Sequence, residues 1–221
     1  MSGAVLWTGG KDSVMALLEA RESMEVGLLV TFVPEAEPRF LAHPIELVRA
    51  QARALGLEQR EVIVRAPFER GYEDALDALA REGVGAVVTG DIGLVDGHAN
   101  WIVERARGRL RVVRPLWDRP RQAMLRALPE RGVSAVCSLA RLDAFPDSVV
   151  GRTLEGAFLD ELCERDGVDG FDACGENGEY HTCVTDAPGF AFSIELQGQR
   201  VERHGEFEVL RFDSIAERSK S

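Results

Sequence analysis

Three observations predict an α/β protein, with a doubly wound parallel sheet followed by a second, smaller α/β domain. Short apolar runs alternate with helix-periodic stretches through the first half of the chain. A glycine-rich loop, Thr8-Gly9-Gly10-Lys11-Asp12-Ser13, directly follows the first apolar run. At Pro115-Leu116-Trp117-Asp118-Arg119-Pro120 the alternation breaks, and beyond it the order of elements changes.

Ala4-Val5-Leu6-Trp7 reads as the first strand, and Val14, Leu17 and Leu18 begin a helical period after the loop. Val26 to Val33 follows as a strand, then a helix from His43 to Ala54, a short strand at Val62-Ile63-Val64, a helix from Gly71 to Arg81 and a strand at Ala86 to Thr89. Apolar runs of this length between helices indicate βαβ units and a parallel sheet buried on both faces. Right-handed crossovers then put the strands' C-terminal ends on one edge, so the loops at 8–13, 31–43 and 90–98 share a rim where ligands of open α/β sheets bind.

A helix over Ala99 to Arg107 and a strand at Leu110 to Val113 complete the first domain, set at residues 1–118. Residues 119–221 form the second, with helices at Arg121 to Leu128 and Leu154 to Leu162 and strands at Ala135 to Leu139, Ala191 to Leu196 and Phe207 to Phe212. A chain of 221 residues is long enough for this arrangement, and no internal repeat interrupts it.

Composition excludes several classes. A net charge of −11 offers no basic field for nucleic acid, which is not expected as a partner. No apolar stretch approaches the roughly 20 residues that span a bilayer, so no membrane association is expected. The chain starts directly with its first strand, without a basic leader or cleavage site. Its four cysteines, Cys137, Cys163, Cys174 and Cys183, are too few for a disulfide framework, and the expected location is the cytoplasm. The spacing of Cys174, His181 and Cys183 matches no common zinc pattern, and the thiols read as ordinary buried residues.

The loop at 8–13 has the chemistry of a phosphate site. Adjacent glycines let backbone N–H groups close on an anion, Thr8 and Ser13 add hydroxyls, and the helix starting near Lys11 adds its positive N-terminus. Asp12 is a hard oxygen ligand suited to the Mg²⁺ that accompanies polyphosphates. Of 26 basic residues only Lys11 and Lys220 are lysines, and in so tight a turn a compact ammonium does what a guanidinium fork would not. The string is not the usual P-loop, since Asp12 follows the lysine, and no Gly-x-Gly-x-x-Gly occurs.

A second constellation runs from Cys174 to Asp186, where Glu176, Asn177, Glu179, His181 and Asp186 crowd polar groups into a loop entering a strand. If 179–184 is extended, Glu179 and His181 share one face and could orient a nucleophile or take its proton. A solvated turn beside a surface strand is the competing reading, and His43 and His98 read equally well as polar loop residues.

Taken together, these residues resemble a known family. The strand followed by Thr-Gly-Gly-Lys-Asp-Ser resembles the pyrophosphate loop of the N-type ATP pyrophosphatases, whose HUP-type, Rossmann-like domain turns ATP into AMP and pyrophosphate while adenylating a substrate. Within that group, Gly-Glu-Asn-Gly-Glu-Tyr-His-Thr at 175–182, Gly90-Asp91, Arg114-Pro115-Leu116-Trp117 and His43 before its helix resemble the diphthine-ammonia ligase family.

The resemblance implies AMP-forming activation of a carboxylate or amide acceptor and attack by ammonia. ATP and Mg²⁺ would be held by Thr8, Gly9, Gly10, Lys11, Asp12 and Ser13, with Asp12 on the metal. Thr31 and Phe32 would meet the adenosine, and Gly90 and Asp91 would line the rim. Lys11, Asp12, Glu176, Glu179 and His181 would carry catalysis, with His43, His98 and Asn177 contacting the acceptor. Residues 96–104, Asn177 and His181 depart from the diphthine-specific pattern toward a single-module bacterial branch, for which cobalamin-related amide chemistry has been proposed. The acceptor is thus a small molecule or a modified residue. A nucleotide hydrolase, a non-catalytic adenine-nucleotide-binding module and a homodimer all stay open.

Overall fold

The computed structural model describes residues 2–35, 41–94 and 101–220. Two compact units are formed. The first comprises 1–8, 12–39 and 57–118, and the second 9–11, 40–56 and 119–221.

The first unit is a five-stranded sheet with helices. Its strands are β1 (Ser2–Leu6), β2 (Val26–Pro34), β3 (Glu58–Val64), β4 (Val84–Val88) and β5 (Arg111–Val113), in the order β3-β2-β1-β4-β5. Every pairing is parallel. Helices α1 (Lys11–Arg21), α3 (Phe68–Arg81) and α4 (Trp101–Arg105) belong to the same unit, apart from Lys11 itself.

The strand order reverses at β1, whose neighbours β2 and β4 lie on either side. Ligands of open α/β sheets bind outside the strand ends at such a point. β1 is central because Gly3-Ala4-Val5-Leu6 can be buried on both faces, and Ala4 and Val5 are fully enclosed. Ala4, Leu28, Val30 and Val87 of the sheet pack with Leu76, Leu79 and Ile102 of α3 and α4.

The second unit is mainly antiparallel. Strands β6 (Ser134–Arg141), β7 (Tyr180–Asp186), β9 (Arg200–His204) and β10 (Phe207–Arg211) order as β7-β6-β10-β9, and β8 (Phe192–Gln197) pairs with β11 (Ser214–Ser219). Helices α2 (Ile45–Leu55), α5 (Arg121–Glu130) and α6 (Gly156–Glu164) accompany them. Helix α2 is sharply amphipathic and ends at Gly56 in the left-handed conformation (φ 62°), where the Gly56 N–H caps the carbonyl of Arg53.

The expected elements are present, with shifted ends. β3 begins four residues before the apolar triplet at 62–64, because its polar first half, Glu58-Gln59-Arg60-Glu61, pairs with β2 as a sheet edge. α3 starts at Phe68, directly after Pro67. β9 and β11 have no counterpart in the sequence reading. β9 is exposed throughout and reads Arg-Val-Glu-Arg-His, so apolar alternation has nothing to report, and its pairing comes from the tight turn at Gly205. Of the helix expected over 99–107, residues 99 and 100 lie outside the described residues.

Leu76→Ala should lose about 2–5 kcal/mol of stability, because Leu76 is fully buried in the first core. Ile63→Ala, on an exposed edge, should stay within about 0.5 kcal/mol of wild type. Urea denaturation of the two variants measures the contrast.

Candidate functional site

The chain is pinned up to Trp7 and turns immediately after it. The Trp7 N–H donates to the Val30 carbonyl at 2.7 Å, and the Trp7 carbonyl accepts from the Thr31 hydroxyl at 2.9 Å. Thr31, predicted to meet adenosine, therefore ties β2 to the start of the loop and also accepts from Gln59 Nε2 at 3.3 Å.

Gly9 has φ +77°, and a Cβ there would sit 2.1 Å from Gln51 Oε1, so both backbone and space require glycine. Its carbonyl accepts from the Val184 N–H and from Gln51 Nε2, each at 2.9 Å. Gln51 Nε2 also donates to the Val184 carbonyl at 2.7 Å, so one fully buried amide joins the loop to β7.

Lys11 opens α1 and is 4% exposed. Its backbone N–H donates to Thr182 Oγ1 at 3.0 Å, and its Nζ donates to the Cys174 carbonyl at 2.5 Å. The Tyr180 ring centroid lies 5.4 Å from the ammonium, within cation–π range. A buried ammonium is costly unless hydrogen-bonded, and these contacts give it one position. Ser13, also buried, lies in the first turn of α1.

In the first unit, Gly90 follows β4 so closely on Asp12 that a Cβ would lie 2.7 Å from the Asp12 carbonyl carbon. Asp91 accepts from the Thr89 hydroxyl at 2.8 Å. The switch point thus places two hard carboxylates, Asp12 and Asp91, on adjoining backbone segments. No group of three or more metal-type side chains occurs among the described residues. Mg²⁺ uses one or two carboxylates together with substrate phosphates and water, and the Asp12 and Asp91 donors fit that habit.

Phe32 belongs to an aromatic cluster, edge-on to Tyr72 at 5.1 Å and tilted toward Trp101 at 6.3 Å. His98 lies outside the described residues.

The second constellation is organised around inward bonds. Glu179 is 2% exposed, and its carboxylate accepts from the Asp172 N–H at 2.8 Å and the Asn177 N–H at 3.1 Å. Asp172 accepts from the Cys174 N–H at 2.8 Å and pairs with Arg121 at 2.8 Å. The Tyr180 hydroxyl donates to the Ala173 carbonyl at 2.7 Å. Gly175 has φ +80°, and a Cβ there would meet the Tyr180 carbonyl at 2.6 Å. Asn177 is exposed and Glu176 half-buried in the same turn.

His181 is exposed and meets His43 edge-on, ring centroids 5.6 Å apart. Glu179 and His181 therefore sit in different surroundings, the first enclosed by its own loop and the second against a histidine from 40–56. Desolvation, with help from His181 and Lys11, drives the His43 pKa down to about 3. His43 Nδ1 is buried without a hydrogen-bond partner. All four cysteines are buried and none forms a disulfide, and burial pushes the Cys137 and Cys183 thiols up to about 12.

Sequence reasoning missed Gln51, Thr182 and Tyr180. Gln51 had a signal, being the one polar residue on the buried stripe Leu47, Val48, Ala50, Gln51, Ala52 and Ala54 of α2. Thr182 had none, because a hydroxyl in an alternating strand shows no preference for a partner 171 residues away.

Fold and topology define the class as a Rossmann-like α/β protein with a smaller antiparallel-sheet unit. Residues 1–108 match the family described as diphthamide synthase N-terminal domain, and residues 123–216 match the diphthamide synthase C-terminal domain. The chain belongs to the diphthamide synthase family. One similar solved structure is described as a predicted subunit of tRNA methyltransferase from Methanocaldococcus jannaschii. It is 16% identical and covers 85% of this chain and 98% of that one at a TM-score of 0.46. No curated protein matches. No helix among the described residues is long and apolar enough to cross a membrane.

Two predictions test the electrostatics. The unfolded chain protonates His43 below about 6.5, whereas the folded protein resists until about 3. Falling pH between these limits therefore favours unfolding, by at most about 1.4 kcal/mol per pH unit. His43→Gln should flatten that slope between pH 7 and 5 in urea denaturation, and an unchanged slope would contradict the buried neutral imidazole. Glu179→Ala should cost about 1.5–3 kcal/mol by removing the acceptor of two loop N–H groups, measured by thermal denaturation.

Proposed function

We propose that this chain is a Mg²⁺- and ATP-dependent enzyme that forms AMP and pyrophosphate while adenylating an acceptor, with ammonia completing an amide on a carboxylate acceptor or an amidine on an amide acceptor. The observation that carries the reading is Lys11, a buried ammonium held at a helix N-terminus behind a glycine with φ +77°. Membership of the diphthamide synthase family supports the same chemistry.

In this reading an acceptor oxygen attacks the α-phosphorus, the bond to the β-phosphate oxygen breaks, and pyrophosphate leaves with its charge toward Lys11 and the N–H groups of 9–13. Ammonia then attacks the activated carbon, loses a proton, and AMP departs. Asp12 and Asp91 would hold Mg²⁺, which supplies charge neutralisation on the phosphate oxygens when bound. Positioning and charge stabilisation are most of what such a cleavage asks of a protein. Glu176, Asn177, His43 and His181 are the proposed acceptor-side groups, with exposed His181 the proton acceptor. Glu179 acts there through the loop it closes. The cytoplasm is the proposed setting.

The test is product analysis with ATP, Mg²⁺ and a panel of carboxylate acceptors with ammonium. Acceptor-dependent AMP and pyrophosphate are expected, and acceptor-independent AMP or ADP would make the protein a hydrolase instead. Lys11→Ala and Asp12→Ala should each reduce turnover at least about 100-fold with unchanged circular dichroism. Wild-type rates in either variant would sink the loop assignment.

A further inference from the structure

The family-like string at 175–182 suggests a surface for the acceptor, yet its buried polar groups, Glu179, Tyr180 and Thr182, bond inward, to their own loop and to Lys11. Glu179 closes the turn on the N–H groups of Asp172 and Asn177. Asp172, locked by Arg121, holds the Cys174 N–H. The Tyr180 hydroxyl holds the Ala173 carbonyl, and Gly175 allows the chain to pass within contact of Tyr180. The Cys174 carbonyl is thereby presented to Lys11 Nζ at 2.5 Å, with the Tyr180 ring beside it. Two residues on, the Thr182 hydroxyl, 3% exposed, accepts the Lys11 backbone N–H at 3.0 Å.

We propose that residues 172–182 are a positioning device for Lys11, so that Thr182 and the Cys174 carbonyl set the protein's affinity for a polyphosphate. Thr182 is a positioning residue, acting on the anion only through the lysine. The proposal rests on residues 8–13 being the phosphate loop. Its physical basis is preorganisation. A lysine side chain loses much rotamer freedom when it is held on an anion, and a seat that fixes both ends of the residue beforehand removes that cost from binding. The isolated loop has no means of doing this, because its own residues are two glycines and short side chains.

The chain's two lysines allow a direct readout. Labelling with ¹⁵N-lysine leaves two backbone amide signals, from Lys11 and from Lys220, the latter tied by its ammonium to Asp186 and Ala187 and serving as control. Titrating the wild type with inorganic tripolyphosphate and Mg²⁺ should move the Lys11 signal saturably and leave Lys220 in place. Thr182→Val should displace the Lys11 signal before any ligand is added and weaken tripolyphosphate about tenfold, or about 1.4 kcal/mol, while the protein stays folded by circular dichroism. Thr182→Ser should restore both.

Tripolyphosphate affinity within about twofold of wild type in Thr182→Val, or no recovery in Thr182→Ser, overturns the proposal. Should Thr182→Val fail to fold, Tyr180→Phe, which removes the hydroxyl that holds the Ala173 carbonyl, must shift the Lys11 signal and weaken tripolyphosphate, and no change in either overturns it. A wild-type Lys11 signal indifferent to both tripolyphosphate and ATP removes the phosphate-loop reading, and the positioning role with it. A wild-type response that survives Thr182→Val removes the positioning role alone.

Discussion

The burial of Lys11 is the constraint from which most of the site follows. An ammonium taken out of water costs several kcal/mol unless its donors find acceptors in good geometry. Here the acceptor is a main-chain carbonyl, Cys174, and the face of Tyr180 lies alongside. For that carbonyl to stand where it does, the turn at 172–179 must be rigid. Its rigidity comes from two carboxylates, Glu179 and Asp172, whose charge is satisfied by loop N–H groups and by Arg121. The same logic explains Gln51, since a buried amide joining Gly9 and Val184 is worth keeping only if all three stay in register.

A second constraint is set by the parallel sheet. Reversal of strand order at β1 leaves a gap beyond its C-terminal end, and β4 is followed by Gly90, whose backbone can lie against Asp12. Any side chain at position 90 would push the two segments apart. The two carboxylates that follow these contacts, Asp12 and Asp91, are therefore placed by backbone packing and topology. This is why a loop of short residues can hold hard ligands without a dedicated cage of acids.

Much of the fold was legible because burial on both faces forces apolar runs and amphipathic helices, and each parallel strand and its helix left that trace. The antiparallel unit was less legible. β9 is exposed and charged, and in the parallel sheet β3 likewise begins in polar residues, because edge strands need not be hydrophobic. For the site, Thr8 to Ser13 could be read because the chemistry lies in consecutive residues. Thr31 and Glu179 could be picked out by position, but their occupations, a strand tie to Trp7 and a closed turn, depend on bonds that only the folded chain makes.

The sequence by itself determined the alternation of strands and helices, the phosphate-type loop and the presence of a second polar motif, since these depend on residue type and near neighbours. Tertiary structure decided which partners they meet. Gly9, Gly10 and Lys11 pack with α2 and the 172–184 segment, which turns the Cys174 carbonyl and the Thr182 hydroxyl onto Lys11. Hydrogen bonds between residues 163 and 171 positions apart leave no periodicity in a chain. Only closure of the fold brings such groups within 3 Å, and that closure makes one positioned cation out of two separate motifs.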